Sequence, residues 1–460
     1  MLNSKRSEEI QRIRYFLMSS NYDIYYQSIS GIYNYFFNPW QTYKNVKDKI
    51  KKYDSKTKYL FELLMLGDEL GINLAYNYFG KDIICDLINV NFLHKDNDLI
   101  RSDGYSIIPY LDRYFVVNLP LDYPTSKGSQ DIYIGFDSYK LTNVIPHHKH
   151  NNHLDLCSGS GIQCIMAADA YERGIAVEVN KKAIDALKFN ISLNELDEKI
   201  NIINGDLYSK IPRNQKFDII TANPPFLPVP EKIAFPIAGD GGESGLETIH
   251  KILIGFDNYL NEGGSAIIIG ESLGNDDGSF LMDLLYKDLA FGYQGDLFLQ
   301  AVNSKNDYIN SIASFYYTIN NKQEDEADNV IEWNEIFNKY KATHVYAFIL
   351  KIKKLVSSKN STFNQIRNYE SINYRSIPSL NKEYKLINSP SSYFMLIDDK
   401  VVATLNKELK DCIQLCDGTH TIEEILNTAL KSNGNNKNLS NIFLATCKAL
   451  SQQNYMNINE

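Results

Sequence analysis

Apolar residues change their spacing twice along this chain, and each change predicts a different kind of structure. Near the start, Tyr59-Leu-Phe-Glu-Leu-Leu-Met-Leu66 and Ile83-Ile-Cys-Asp-Leu-Ile88 recur at helical intervals, punctuated by Gly67, Gly71 and Gly80. Ser106-Ile-Ile-Pro-Tyr-Leu111 and Arg113-Tyr-Phe-Val-Val117 then read as extended segments joined by a short turn. Helices followed by a hairpin predict a helical or winged-helix module over residues 1–125, with a plain helical scaffold as the alternative. A polar spacer over 121–130 marks its end.

From about Ile132 to Lys354 strands and helices alternate. Leu154-Asp-Leu156, Ile175-Ala-Val-Glu-Val179, Phe217-Asp-Ile-Ile-Thr221, Ala266-Ile-Ile-Ile269 and Val345-Tyr-Ala-Phe-Ile-Leu350 are short apolar runs of the kind buried on both faces. Amphipathic stretches such as Lys181 to Leu196 lie between them, so the expected fold class is α/β with a mainly parallel sheet over residues 130–355. The acidic run Gln323 to Asn329 reads as a solvated loop before the last helix and strand. Residues 356–379 turn polar and read as a linker. In the last unit, 380–460, Tyr393–Ile397 and Val401–Thr404 predict a hairpin and Glu408–Leu415 a helix, while Thr421-Ile-Glu-Glu424 is a capping box that opens another helix.

Composition narrows the function. With Lys+Arg 47 against Asp+Glu 56, a net charge of −9 disfavours a nucleic-acid partner. Six scattered cysteines in 460 residues do not make a disulfide framework, the first residues lack the basic start and apolar stretch of a signal peptide, and no apolar run reaches membrane-span length. A cytosolic protein without membrane association is therefore expected.

The chemistry lies at strand ends. His153-Leu-Asp-Leu-Cys-Ser-Gly-Ser-Gly161 runs from a strand into a turn where Gly159 and Gly161 allow close approach of a ligand. Cys164 occupies the place of the third glycine of a dinucleotide fingerprint, which favours S-adenosylmethionine over NAD or FAD. Glu178 ends the second strand at the distance suited to ribose hydroxyls, and Asp206 closes the third where a carboxylate can meet an adenine amino group. After the fourth strand comes Asn223-Pro224-Pro225-Phe226. Prolines remove backbone donors, so the Pro224 carbonyl and the Asn223 side-chain oxygen can accept both hydrogens of a substrate NH2, and Phe226 offers a face for a planar acceptor.

These residues, with Asn190 and Gly239-Asp-Gly-Gly-Glu-Ser-Gly-Leu246, resemble the class I S-adenosylmethionine-dependent methyltransferases of the HemK-like, small-domain branch. The resemblance implies a Rossmann-like seven-stranded domain and N-methylation. It also implies a cofactor held by Asp155, Cys157, Gly159, Gly161, Glu178, Asp206, Leu207, Asn223 and Phe136, and an acceptor handled by Asn223, Pro224, Pro225 and Phe226. Phe226 stands where amide-methylating members carry Tyr. Residues 380–458, through Leu405-Asn406-Lys407, Leu415-Cys-Asp-Gly-Thr419 and Thr421 to Ile425, resemble PqqD-like domains, small winged-helix elements that capture the leader of a ribosomally made peptide. The expected acceptor is thus an amide or amine nitrogen of a peptide. An RNA-base amine, a protein glutamine and a non-catalytic peptide-binding adaptor are the alternatives.

Other clusters carry no chemistry in this reading. His147-His-Lys-His150 with His153 is expected in an exposed connection without metal, Cys412 and Cys416 as buried thiols near a turn, and Cys157 and Cys164 as small packing residues.

Overall fold

The computed structural model describes residues 2–29, 32, 39–120, 132–319, 326–357, 359–367, 377–381, 383–389, 392–397, 400–433, 439–452 and 455–459. The spacer at 121–130 lies outside these, as do 323–325 of the acidic run and 368–376 of the polar stretch. The chain forms two compact units, Met1–Ser20 with Tyr33–Tyr43 and Ser55–Asn368, and Asn21–Ile32 with Lys44–Asp54 and Tyr369–Glu460.

The first unit is built on a sheet whose strands are β1 (His150–Leu156), β2 (Tyr171–Glu178), β3 (Ile200–Asn204), β4 (Phe217–Ala222), β5 (Leu260–Asn275), β6 (Tyr293–Ser304), β7 (His344–Lys354) and β8 (Thr362–Arg367). Their order is β8-β6-β7-β5-β4-β1-β2-β3, with Gly278–Ser279 pairing back onto β5. Strands β3, β2, β1, β4 and β5 are parallel, and β7 is antiparallel to both β5 and β6. This is the Rossmann-like α/β architecture. Its apolar runs lack alternation because helices cover the sheet; Leu154, Ala176, Ile220 and Ile268 are all fully buried. The ligand-bearing ends of β1, β2 and β4 meet where the order reverses between β1 and β4, the usual crevice of an open α/β sheet.

Strand β8 lies within the stretch that reads as a linker from sequence, and pairs parallel to β6. Its burial pattern leaves only Phe363 buried, so a lone edge strand gives almost no hydrophobic signal. The end of the acidic run differs too: Glu326–Tyr340 is helical, with its acidic residues at the helix start.

Helices Ser55–Leu64, Ile72–Phe79 and Lys81–Asn89, strand Leu70–Gly71 and hairpin Leu93–Asp96/Leu99–Ser102 form a winged arrangement. The wing is therefore Leu93–Ser102, not the 106–117 hairpin expected from sequence. His94, Lys95 and Asp96 are exposed, which hides that strand from an apolar pattern. The apolar hairpin Tyr105–Tyr110/Arg113–Asn118 is a separate two-stranded sheet beside helix Lys181–Leu193. There Asn190 accepts from Val116 N–H at 2.7 Å and donates to the Val116 carbonyl at 3.1 Å, and Asn194 does the same with Tyr114 at 3.0 and 2.7 Å. Four helical residues rise about 6 Å and two strand residues about 7 Å, so two amides one turn apart can imitate a neighbouring strand.

Between β6 and β7 the chain inserts two helices, Lys305–Ile319 and Glu326–Tyr340. Ile309, Ile312, Tyr316, Trp333 and Phe337 bury against Val229 and Ile233, and Trp333 Nε1 donates to the Pro228 carbonyl at 2.8 Å. The insertion thus packs on the segment that follows Phe226.

In the second unit, Lys385–Asn388, Tyr393–Ile397 and Lys400–Leu405 form an antiparallel sheet, followed by helices Lys407–Gln414, Ile422–Asn433 and Leu439–Gln452. Ile377–Leu380 pairs with Met456–Asn459. Met395, Leu409, Ile425 and Phe443 belong to its core, which includes Cys412, Cys416 and Cys447. The capping box forms as expected: Thr421 N–H donates to Glu424 Oε2 at 2.8 Å and Glu424 N–H to Thr421 Oγ1 at 3.3 Å.

Candidate active site

A cavity of about 280 Å³ opens at the carboxyl ends of β1, β2 and β4. Of the residues singled out from sequence, Cys157, Gly159, Glu178, Asp206, Leu207, Asn223 and Pro225 line it. Asp155, Gly161, Phe136, Pro224 and Phe226 are not among its lining residues. Phe136 begins the helix Phe136–Val144 at 43% exposure, while its neighbours Tyr133 and Ser138 do line the cavity.

The glycine loop divides its labour. Gly159 has nothing within 4 Å of where a Cβ would stand, so its backbone is open to a ligand. At Gly161, with φ +81°, a Cβ would sit 2.4 Å from Leu187 Cδ1, so this glycine serves helix packing. Asn190 also reaches here, donating to the Ser160 carbonyl at 2.9 Å and tying the loop to the hairpin. Glu178 Oε2 accepts from Gly159 N–H at 2.8 Å, and Oε1 from the Val179 and Asn180 N–H groups at 2.9 and 2.8 Å. These bonds hold its carboxylate at the cavity edge. The Cys157 thiol is pushed well above its ordinary range by burial and by the charges of Glu178, Asp155 and Asp206, which keeps it protonated and unreactive.

On the acceptor side, Asn223 Nδ2 donates to Asp137 Oδ2 at 2.7 Å, and the Tyr133 hydroxyl donates to the same oxygen at 2.9 Å. A carboxylate only accepts, so Asp137 fixes which way the amide faces. Asn223 Oδ1 is left buried without a hydrogen-bond partner. Tyr133 and Asp137 were missed by sequence reasoning; Phe136 is expected at the cofactor, but nothing in the sequence around it shows an approach to a residue 86 positions away. Phe226 is half-buried against Gly270, and its backbone is covered by the glycine-rich segment. At Gly245, φ +74°, a Cβ would lie 2.5 Å from the Phe226 carbonyl oxygen. Leu227 N–H donates to the Gly239 carbonyl and Gly241 N–H to the Leu227 carbonyl, at 2.9 and 3.0 Å, which fastens the two segments. Burial pushes the Glu271 carboxyl on β5 up to about 7, opposed by Tyr308 and assisted by the charge of Asp137.

The histidine cluster departs from expectation. His150 and His153 lie on β1 and are buried, so the group is only partly an exposed connection. Paired strand neighbours, not solvent, surround them, and the four consecutive polar residues His150 to His153 disguise the strand as a loop. Among the described residues no group of three or more His, Cys, Asp or Glu could hold a metal ion, and no helix is long and apolar enough to cross a membrane.

An activated methyl donor with a nucleoside and an amino-acid end fits these residues. Gly159 leaves room for it, Glu178 and Asp206 are hydrogen-bond acceptors for hydroxyl and amino groups, and two buried oxygens, Asp155 Oδ2 and Asn223 Oδ1, await donors.

Residues 134–276 match the methyltransferase small domain family. A ribosomal protein uL3 glutamine methyltransferase of Bradyrhizobium diazoefficiens is 32% identical over 124 residues, covering 25% of this chain and 39% of the relative. A release factor glutamine methyltransferase of Rhodopirellula baltica is 28% identical over 166 residues, 32% of this chain and 56% of the relative. A Methanocaldococcus jannaschii protein named for protein N5-glutamine methylation is 30% identical over 142 residues, 30% of this chain and 70% of the relative. The chain spans about two-fifths to a half of the length of three of the uL3 relatives it matches.

Proposed function

The chain belongs to the methyltransferase small domain family, whose methyl donor is S-adenosylmethionine, and from that membership we propose that it methylates a side-chain amide or amine nitrogen of a protein or peptide. The observation that carries this reading is the buried, unpartnered Asn223 Oδ1, held in place through Asp137. With the Pro224 carbonyl, it takes the two hydrogens of a substrate NH2 and directs the nitrogen lone pair toward the donor. Bound S-adenosylmethionine supplies an electrophilic methyl group, so the chain needs no nucleophile of its own. Catalysis rests on position and polarisation of the acceptor.

The finer reading is that the substrate is a ribosomally synthesised peptide captured by the second unit. Its support is the resemblance over 380–458 together with a three-stranded antiparallel sheet followed by a helix, the setting in which an extended peptide adds as a strand. The relatives named for glutamine methylation support a protein or peptide amide over a nucleobase.

Calorimetry with S-adenosylmethionine and mass spectrometry of a coexpressed candidate peptide test the proposal. A gain of about 14 Da, or a multiple, outside the leader is the expected result. In Asn223→Ala the gain should vanish while cofactor binding persists. Undiminished methylation by that variant would remove the mechanism, and methylation of RNA instead of peptide would overturn the substrate.

A further inference from the structure

The wall of the cavity beside the acceptor motif comes from the segment that follows Phe226. Ile237, Ala238 and Asp240 line the cavity together with Asn223 and Pro225. They stand there because Leu227 pairs in parallel with Asp240, through backbone bonds to Gly239 and Gly241 on either side of it. An apolar strip leads outward from this wall. Ile237 is 59% exposed at the cavity. Two residues before it, the Phe235 ring lies against Gly239, where a Cβ would stand 2.7 Å from Phe235 Cε1. The ring thus fills a place that the glycine between the lining residues Ala238 and Asp240 leaves open. Phe235 stacks on Tyr316 of the inserted helix Lys305–Ile319, with centroids 5.8 Å and planes 20° apart, and its centroid is 6.2 Å from that of Phe315. Tyr316 is buried and Phe315 is 39% exposed.

Single exposed apolar residues are ordinary, but a run of them leading out of a cavity marks a contact surface. This run is also held in place before anything binds. Trp333 Nε1 donates to the Pro228 carbonyl at 2.8 Å, Lys232 Nζ donates to Glu332 Oε1 at 3.0 Å, and Lys339 pairs with Glu243. The second inserted helix, Glu326–Tyr340, is thereby tied to the wall segment on both sides of Ile237. A surface fixed in advance loses little freedom when a partner is seated on it. Its chemistry selects that partner. Ile237, Phe235 and Phe315 offer no hydrogen bond, so they recognise apolar surface. Asp240 beside them, whose Oδ1 accepts from Gly242 N–H at 3.0 Å, sets a carboxylate at the cavity that repels an acidic residue.

We propose that the strip from Ile237 through Phe235 to Phe315 seats a large aliphatic or aromatic side chain that lies within two residues of the methylated one in the acceptor protein or peptide. This rests on the acceptor reading above and adds to it the class of residue beside the reacting nitrogen. An extended acceptor that places one side chain in the slot at Asn223 turns the side chain two positions away toward the same surface, about 7 Å along. The strip continues from the cavity on that scale, with the two phenylalanine rings 6.2 Å apart. The inserted helices are then part of the substrate-binding surface, since Phe315 belongs to one of them and the other holds the wall.

The test uses the full chain, S-adenosylmethionine and synthetic acetylated peptides with Gln or Lys at the centre and Gly elsewhere, in which Phe, Leu or Asp replaces each Gly within two residues of the centre. Methyl transfer followed by mass spectrometry should give a kcat/KM about tenfold higher for the best Phe or Leu peptide than for the all-Gly one, the worth of burying about half of such a side chain. The gain should lie mainly in KM, and the Asp peptides should be the poorest. In Phe315→Ser the ratio should fall toward one while S-adenosylmethionine binds, by calorimetry, as it does to the parent. Ile237→Ser should narrow the ratio as well, and keeps the test intact if the first variant fails to fold, because Ile237 is more than half exposed. Equal kcat/KM for all peptides, or a Phe and Leu preference that survives in the variants, overturns the docking strip and leaves N-methylation of a peptide standing. Cofactor binding without transfer to any peptide overturns the acceptor reading, and the strip with it.

Discussion

Asn190→Ala removes the residue that joins the hairpin, helix Lys181–Leu193 and the cofactor loop. Its side chain is fully buried and makes three bonds, accepting from Val116 N–H at 2.7 Å and donating to the Val116 and Ser160 carbonyls at 3.1 and 2.9 Å. A buried N–H stripped of its partner costs about 1–3 kcal/mol, and the two carbonyls and the small void add to that, so a total near 3–4 kcal/mol is expected. At roughly 2–4 °C per kcal/mol for a domain of this size, calorimetric unfolding of the first unit should fall by about 6–16 °C. Hydrogen exchange gives the local readout: the Val116 amide should lose protection ahead of the central strands. Asn190→Asp sharpens the test. It keeps the acceptor for Val116 N–H but sets a carboxylate oxygen against two carbonyls, so it should fare no better than alanine. A fall of less than about 2 °C with Val116 still protected would refute the assignment of Asn190 as the joining residue.

Other perturbations address separate parts of the first unit. The Asp218 carboxyl is held below its usual range: burial acts to raise it, but the Asn152 N–H, the Asn261 amide and the Asn151 N–H lower it more. A depressed folded value stabilises the fold above the unfolded value near 3.9 and loses that effect as pH falls through the folded one. Asp218→Asn should therefore melt lower than the parent at neutral pH, and the gap should narrow progressively in melts taken below the unfolded value near 3.9; a gap that does not narrow refutes the electrostatic account. Trp333→Phe removes the donor to the Pro228 carbonyl and part of a buried ring, about 1–3 kcal/mol. Limited proteolysis should then cut first within residues 227–245, and an unchanged cleavage pattern would show that the inserted helices do not hold that segment.

What the sequence determined by itself was chemistry tied to strand ends. The parallel sheet was legible because its central strands are buried on both faces, and Gly159, Glu178, Asp206 and Asn223 could be placed at one cavity because each ends a strand of that sheet or follows one within a few residues. The capping box at Thr421 and Glu424 was legible for the same reason, since both partners lie within one helical turn. Residues whose roles depend on distant parts of the chain were not. Asp137 acts on a residue 86 positions away, Asn190 on a strand 74 positions away, and His153 on a threonine 68 positions away. No local pattern records such approaches. The wing at Leu93–Ser102 and the edge strand Thr362–Arg367 escaped because exposed strands carry little hydrophobic periodicity. Their places were decided by backbone pairing with strands already in position, a contribution that any sequence of side chains can share and only the tertiary structure reveals.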